Sequence, residues 1–115
     1  MTSADGSALS TGVQLWLQID EPGDEAALIC IVEEAVIGRD FRSDVVIHDD
    51  EASRMHARVT PIDGQEWIIT DLATTNGTFV NAARIVGPAK IGPGDMIRVG
   101  RVTCTVVHPP IYERH

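Results

Sequence analysis

Side chains that donate hydrogen bonds recur in short polar stretches of this 115-residue sequence. An arginine follows a glycine at Arg39, a serine and a second arginine stand together at Ser53 and Arg54, and a threonine precedes an asparagine at Thr75 and Asn76. Hydroxyl, amide and guanidinium groups all carry donors, and arginine presents them as a planar fork. Because a phosphate offers several acceptor oxygens, a cluster of such donors suits a phosphorylated ligand.

The elements that must position these side chains are short and apolar. Turn signals such as Asp63-Gly64 and Asn76-Gly77 separate them. No stretch of a dozen residues repeats apolar residues with the 3.6-residue period of a helix without a helix-breaking residue inside it. The predicted strands are 13–19, 27–32, 45–47, 56–62, 66–70 and 78–80, with "AVI" before Gly38 and two more in "MIRVG" and "VTCTVV". This pattern predicts an all-β sandwich or barrel in which the polar stretches are loops.

Charge and length exclude several classes of protein. The net charge of −8 argues against nucleic-acid binding, which needs a basic face. No apolar run is long enough to insert in a membrane, and the N-terminus lacks a signal peptide, so we expect a cytoplasmic protein. We expect a disordered N-terminal tail over 1–12, one domain over 13–108 and a C-terminal tail over 109–115.

Three residues in the predicted strands have interpretations of their own. Cys30 and Cys104 lie in apolar stretches and are interpreted as buried free thiols. Trp67 stands between apolar neighbours in mid-strand, so its side chain is predicted to point into the core.

The polar motifs together resemble one family. Their order, G-R then S-R-x-H, T-N-G-T-x-V-N and G-D-x-I-x-V-G, resembles the forkhead-associated (FHA) domain over Val13 to Val107. The resemblance implies a β-sandwich of about eleven short strands in two twisted sheets, with the binding loops at one end. It also implies a phosphothreonine-peptide reader without enzymatic activity or cofactor, whose partner is a phosphothreonine-containing protein or a Ser/Thr kinase.

The resemblance assigns the ligand contacts residue by residue. Arg39 matches the family arginine that binds the phosphate. Ser53 matches the serine whose hydroxyl donates a hydrogen bond to the phosphate. Arg54 stands where the family places a basic or polar side chain against the phosphate. Thr75 stands where the family uses backbone or hydroxyl donors, and Asn76 matches the residue that pairs with the peptide main chain.

Four further matches imply structural support for the site. Gly38 would allow a sharp turn before Arg39, and Gly77 would supply a positive φ. His56 resembles the histidine that braces the loop carrying Ser53. Asn81 resembles a residue that ties the binding loops together.

The sequence also departs from the family at three places. Phe41 and Arg42 stand after Arg39 where smaller polar residues are more typical. Ala52 replaces a larger apolar residue, and Ala82-Ala83 stand where a glycine often follows Asn81. Asp95 lies in the last polar motif, "GPGDMIRVG", and is expected on a loop, like the other motifs.

Alternative functions have less support in the sequence. Ser53 and His56 could form part of a small hydrolase, but no nucleophile elbow or oxyanion motif accompanies them. The histidines lack metal-ligand spacing, and Asp49 to Glu51 are interpreted as a solvated acidic loop. A degenerate FHA scaffold that binds partners without phosphate is the remaining alternative.

Two expectations concern the setting of the protein. A monomer is expected. Eight of the nine basic residues are arginine, which is typical of a GC-rich bacterial genome. For a bacterial protein, the resemblance to the FHA domain implies a role in bacterial Ser/Thr kinase signalling.

Overall fold

The computed structural model describes residues 14–64 and 66–110. The predicted N-terminal tail and residues 111–115 of the predicted C-terminal tail lie outside this part of the chain. The described part contains eleven strands and no helix, so it holds no helix that could cross a membrane. The strands are β1 (Leu15–Asp20), β2 (Ala27–Ile31), β3 (Ala35–Gly38), β4 (Val45–Val46), β5 (Ala57–Ile62), β6 (Glu66–Asp71), β7 (Thr78–Val80), β8 (Ala83–Arg84), β9 (Ala89–Ile91), β10 (Met96–Val99) and β11 (Val102–Val107).

The strands form the two sheets of a sandwich. One sheet has six strands in the order β2-β1-β11-β10-β7-β8, and the other has five in the order β4-β3-β5-β6-β9. The short strand β4 pairs with β3 in parallel, and the other pairings are antiparallel. The all-β sandwich of about eleven strands is therefore confirmed.

Alternation along the strands builds the core between the sheets. In β1, Leu15, Leu17 and Ile19 are buried, while the residues between them are half-buried or exposed. The same period of two buries every second residue of β11, beginning at Val102. Since successive side chains of a strand point to opposite faces, one face of each sheet supplies the core.

The predicted core residues have two different outcomes. Trp67 is buried in β6, as predicted. Cys104 is a buried free thiol, and burial raises its pKa to about 12, which makes it a poor nucleophile. Cys30 is free but exposed, because it pairs with Trp16 on the outward face of its sheet, whereas Ile31, next to it, is buried on the core face. The prediction of burial was wrong for Cys30.

The main differences from the predicted elements are β8 and β9. Neither strand was predicted. Ala83 and Arg84 in β8 are both exposed, so they carry no alternating apolar signal. β9 has only three residues and follows a Gly-Pro turn signal. Both strands depend on pairing with a neighbour, β8 with β7 and β9 with β6.

The turn between β7 and β8 uses backbone conformations that favour glycine. Val80 pairs with Ala83, which leaves Asn81 and Ala82 as a two-residue turn. Their φ angles are 51° and 73°, and positive φ at both positions is what a type I′ hairpin turn requires. Asparagine tolerates this region well, but the Cβ of Ala82 is strained there.

Replacing Ala82 with glycine should therefore stabilise the protein. Relief of the left-handed backbone is worth about 1–2 kcal/mol, and the extra freedom of glycine in the unfolded chain costs about 0.4–1 kcal/mol. We expect Ala82→Gly to raise the free energy of unfolding by roughly 0.5–1 kcal/mol in urea titrations. The matched Ala83→Gly variant, in a regular strand conformation, should give no gain. Equal or opposite responses would contradict this description of the turn.

Candidate functional site

The site is built on three loops that leave one sheet at the same end. Ile37 of β3 pairs with Ala57 of β5, and Ala57 pairs with Asp71 of β6, so these three residues form a row across the five-stranded sheet. The chain leaves the sheet after Gly38 and Asp71, and it enters the sheet at Ala57. The β3–β4, β4–β5 and β6–β7 loops are therefore neighbours.

The backbone of His56 joins two of these strands at that end. Its N–H donates to the Ile37 carbonyl at 2.9 Å, and its own carbonyl accepts from the Leu72 N–H at 2.9 Å. These bonds extend the β5 pairing beyond Ala57 on both sides. His56 is thereby held at the base of the loops.

The side chain of His56 joins the β4–β5 loop to the β6–β7 loop. Its Nδ1 accepts from the Ser53 backbone N–H at 2.9 Å, and its Nε2 lies 2.9 Å from the Gly77 carbonyl. Because Nδ1 accepts, Nε2 carries the proton and donates to Gly77. The ring is 0% exposed, so water cannot replace these partners.

Asp71 gives the β6–β7 loop its shape. Its carboxylate accepts from the Thr74 N–H at 2.9 Å, from Thr74 Oγ1 at 2.6 Å and from Thr78 Oγ1 at 2.8 Å. Thr74 Oγ1 in turn accepts from the Gly77 N–H at 2.9 Å. Partial burial alone would raise the pKa of Asp71, but the bonds from the two threonines outweigh it and lower the pKa. A charged carboxylate therefore anchors the loop.

Two glycines in the site are required for different reasons. Gly77 has a φ of +85°, as expected, and a Cβ there would collide with the Arg84 side chain. Gly38 has no positive φ and belongs to β3, so the expected sharp turn is wrong. A Cβ at Gly38 would instead collide with the Arg54 carbonyl, and glycine is needed because the β4–β5 loop crosses directly over β3.

Arg39 and Ser53 lie side by side on the first two loops. The Arg39 backbone N–H donates to the Ser53 carbonyl at 3.0 Å, and its Nε donates to the Ala52 carbonyl at 3.0 Å. Arg39 is exposed and Ser53 is half-buried. Within residues 14–64 and 66–110, the terminal nitrogens of Arg39 and the Ser53 hydroxyl make no hydrogen bond to protein. These groups are available to a ligand.

Arg54 and Asn76 complete the outward-facing set, with Thr75 beside them. The Arg54 carbonyl accepts from the Asp40 N–H at 3.1 Å, and its side chain is exposed. Asn76 Nδ2 donates to the Glu51 carbonyl at 2.8 Å, which ties the third loop to the second. Thr75 is exposed, and its carbonyl accepts from Arg84 at 3.2 Å. The structure thus brings the five predicted contact residues onto adjoining loops.

Asn81 and Asp95 do not join this cluster. Asn81 Nδ2 donates to Asp95 Oδ1 at 2.9 Å, and Asn81 Oδ1 accepts from the Met96 N–H at 2.9 Å. Thr78 begins β7 and Asn81 directly follows its last residue. At about 3.3 Å per residue, Asn81 therefore lies about 10 Å along the strand from Thr78. Asn81 therefore ties two turns at the opposite end of the sandwich, and the expectation that it joins the binding loops was wrong.

Asp49 was also interpreted wrongly as part of a solvated acidic loop. It is 4% exposed and accepts from Arg101, with the backbone N–H at 3.0 Å and Nε at 2.7 Å. Burial alone would raise the pKa of Asp49, but the bonds from Arg101 outweigh it and lower the pKa. This pair fastens the β4–β5 loop to the β10–β11 turn. Asp50 and Glu51 are exposed, as expected.

The geometry does not support the hydrolase alternative. A general base must be able to take the proton of the nucleophile. Both ring nitrogens of His56 are committed to backbone groups, and Nδ1 faces the Ser53 N–H instead of its hydroxyl. Among the residues that the structure describes, no group of three or more His, Cys, Asp or Glu could hold a metal ion. The arrangement is that of a binding surface.

Removing the His56 side chain should weaken the fold as well as the site. His56→Ala leaves the Ser53 N–H and the Gly77 carbonyl without partners, at about 1–3 kcal/mol for each buried group. We expect the melting temperature to fall by at least about 10 °C. His48→Ala removes an exposed histidine and is the matched control. Coincident melting curves for the two variants would contradict the bracing role.

Asp49→Asn tests the contribution of the Asp49–Arg101 pair to stability and its dependence on pH. The pKa of Asp49 is lower in the folded than in the unfolded state, so its ionised form favours folding. This contribution is complete above the unfolded pKa of about 3.9 and disappears as the pH falls through the lower folded pKa. We expect Asp49→Asn to cost about 1–3 kcal/mol at pH 7 and much less at pH 2. The same loss of unfolding free energy at both pH values would contradict the role of the Asp49–Arg101 pair. An equal loss in Asp50→Asn, which changes an exposed aspartate, would contradict it as well.

Comparisons with known proteins agree with the geometry. Residues 35–100 match the model of the FHA domain. The FHA domain-containing protein FhaB of Mycobacterium tuberculosis is 36% identical over 87 residues, which cover 75% of this chain and 56% of FhaB. The chain spans about half the length of the curated relatives that it matches.

Two solved structures superpose on most of the chain. One comes from a structural and functional analysis of phosphothreonine-dependent FHA domain interactions, with a TM-score of 0.71, 29% identity, and coverage of 86% of this chain and 100% of that one. The other is Mycobacterium tuberculosis EmbR in complex with a low-affinity phosphopeptide. Its TM-score is 0.72 and its identity 26%, and the match covers 82% of this chain and 24% of the EmbR chain. The family match and the shared fold establish that this chain belongs to the FHA domain family.

Proposed function

We propose that this FHA domain binds phosphothreonine-containing segments of partner proteins through Arg39, Ser53, Arg54, Thr75 and Asn76. The observation that carries the proposal is the cluster of outward-facing donors on loops whose backbones are bonded to one another. Phosphothreonine-dependent FHA interactions and the phosphopeptide complex of EmbR, both in structurally similar proteins, support it.

Local charge explains how an acidic protein can hold an anion. The site presents the guanidinium groups of Arg39 and Arg54, and three of the acids near it are already engaged. Asp40 pairs with Arg42 at 2.9 Å, Asp49 pairs with Arg101 at 2.7 Å, and Asp71 accepts from threonines. A phosphate brings about −1.5 to −2 charges. Asp50 and Glu51 of the β4–β5 loop are exposed, so the direct bonds from the two arginines must outweigh repulsion by these carboxylates.

The bonds from these donors are sufficient for useful affinity. A hydrogen bond to a charged group contributes about 1.5–3 kcal/mol, so three of them dominate a total of about −8 kcal/mol. That total corresponds to a Kd of about 1 μM. The phosphate is therefore expected to decide whether a peptide binds, and the flanking residues to decide which peptide binds best.

The wider setting is part of the same proposal. Residues 13–108 would form the binding domain, and a Ser/Thr kinase would phosphorylate its partner. The protein would act by recruitment, as a monomer in the cytoplasm and without a catalytic step. A preference for phosphothreonine over phosphoserine would rest on the methyl group, whose burial is worth about 0.8 kcal/mol.

The proposal predicts strict dependence on the phosphate. A degenerate peptide pool with a fixed phosphothreonine should bind in the micromolar range in fluorescence anisotropy, and the same pool with unmodified threonine should not. Equal binding of both pools would instead favour the degenerate scaffold that recognises partners without phosphate.

The same assay should assign the phosphate contact to Arg39. Arg39→Ala should weaken binding of the phosphorylated pool at least about 30-fold, because a charge-assisted fork is lost from an anion site. Its melting temperature should stay near that of the wild type, since the side chain is exposed. Arg98→Ala also removes one positive charge, from exposed Arg98 of β10, and should bind normally. Comparable losses in both variants would mean that only net charge matters.

A further inference from the structure

Strand β2 leaves one edge of the six-stranded sheet open. In the part of the chain that the structure describes, β2 pairs with β1 and no strand lies on its other side. Backbone N–H and C=O groups of alternate residues on such a strand point away from the sheet. Proteins protect a free edge with charges, proline or a bulge. The five residues of β2, "ALICI", include no charge and no proline, and they pair with β1 without a bulge.

Apolar side chains border this edge on both faces of the sheet. On the outward face, Leu28 and Val32 lie on either side of exposed Cys30, and they are 52% and 62% exposed. On the inward face, Ile29 is only half-buried. Because successive side chains of a strand alternate between the faces, a further strand beside β2 would cover apolar surface on both.

A cavity of about 170 Å³ lies along the same edge. It is lined by β2, by the chain between β2 and β3, and by Asp44 and Val45 at the start of β4. Since β4 is the outer strand of the five-stranded sheet, the cavity lies where the open edges of the two sheets meet. None of the five proposed phosphopeptide contacts lines it. The edge is therefore a surface separate from the proposed phosphate site.

Acidic residues stand on both sides of β2. Asp24 and Glu25 precede the strand, Glu33 and Glu34 follow it, and all four are exposed. Glu34 pairs with Arg58 at 3.2 Å, whereas the other three make no ion pair within the described residues. No lysine, arginine or histidine occurs in the chain before the end of β3. The open edge thus has an apolar centre between two negative ends.

These charges disfavour a second copy of the chain on this edge. If two β2 strands paired antiparallel, Glu33 of one copy would lie opposite Glu25 of the other. If they paired in parallel, each acid would lie opposite its own counterpart. Like charges on opposite strands destabilise the pair in both cases. A segment with lysine or arginine on both sides of an apolar centre would instead bring opposite charges together.

We propose that β2 is a docking edge for an extended segment of a partner protein that has an apolar centre and basic residues on both sides. The segment adds a seventh strand to the six-stranded sheet and bonds to the outward N–H and C=O groups of β2. Its side chains cover Leu28, Cys30 and Val32 on one face and Ile29 on the other. This contact needs no phosphate, so it does not depend on the proposed phosphothreonine binding.

Unphosphorylated peptide pools test this edge in the full chain. The first pool has paired lysines at both ends and valine, isoleucine or threonine at its central positions. The second has glutamate in place of lysine, and the third keeps the lysines but has proline at alternate central positions, which prevents strand pairing. In fluorescence anisotropy at low salt, the first pool should bind at least about tenfold more tightly than either of the others. It should also slow amide hydrogen exchange in β2.

Two pairs of variants at exposed positions assign the contact. Leu28→Ser should weaken binding of the first pool at least about fivefold, because apolar contact is lost. Met96→Ser, on the outward face of β10 in the same sheet, should bind normally. Glu33→Lys should narrow the preference for lysine over glutamate ends at least about threefold. Glu66→Lys, at an exposed glutamate of the other sheet, should leave that preference unchanged.

Three results would overturn the docking edge. Equal binding of the first and third pools would mean that charge alone attracts the peptides. Slower exchange that appears outside β2 would place the contact elsewhere. Slow exchange at every β2 amide of the free protein would mean that a second copy or another segment of this chain already covers the edge. Because the pools contain no phosphothreonine, each of these results leaves the proposed function intact.

Discussion

The end of this domain that carries the proposed site depends on one buried imidazole. His56 uses its backbone to continue the pairing of β5 with its neighbours, and uses its ring to bind Ser53 on one loop and Gly77 on another. A ring without access to water must keep both nitrogens paired, and here both partners are backbone groups of the site loops. The relative position of the β4–β5 and β6–β7 loops is therefore fixed by a hydrogen-bond requirement of the core.

The other features of the site follow from the fixed relative position of these two loops. The β4–β5 loop lies so close to β3 that only glycine fits at Gly38, and the β6–β7 loop turns so tightly that Gly77 takes a positive φ. Asp71 and Asp49 then use buried or half-buried carboxylates to hold the outer parts of the loops. With the backbones held in this way, the exposed side chains do not have to order the loops when a ligand arrives. Less of the binding free energy is lost to ordering, which favours tight recognition of a small anion.

Much of this arrangement could be predicted from the sequence, for reasons that differ between residues. The strands follow from a period of two in apolar residues, and the shared position of the proposed contact residues on adjoining loops follows from family motifs that keep their order. The Asp49–Arg101 pair could not be predicted, because 52 residues separate its members and no local pattern links them. The pairing of Asn81 with Asp95 likewise appears only when β7 and β10 are side by side. Asp71 had a local signal that could have been used, since an aspartate followed three residues later by threonine is typical of a side-chain-capped turn.

Gly38 shows a different limit of sequence reasoning. A glycine at the end of a strand is easily interpreted as a turn residue, but here it is required by the approach of another backbone from 16 residues further along the chain. Cys30 shows a third limit, because a continuous apolar run does not show which of its residues face the core and which face outward. In each case the missing information is the identity of the neighbour in space.

The central claim is that the braced loops present one anion site made by Arg39, Ser53, Arg54, Thr75 and Asn76. Its most direct test is an amide chemical-shift titration of the isotopically labelled protein with N-acetyl-phosphothreonine methylamide, beside the same compound without phosphate. We predict shifts in the amides of these five residues and their immediate neighbours on the three loops, with the amides at the Asn81–Asp95 end unchanged and no response to the unphosphorylated compound. Shifts centred elsewhere on the sandwich, or equal shifts with both compounds, would contradict the account.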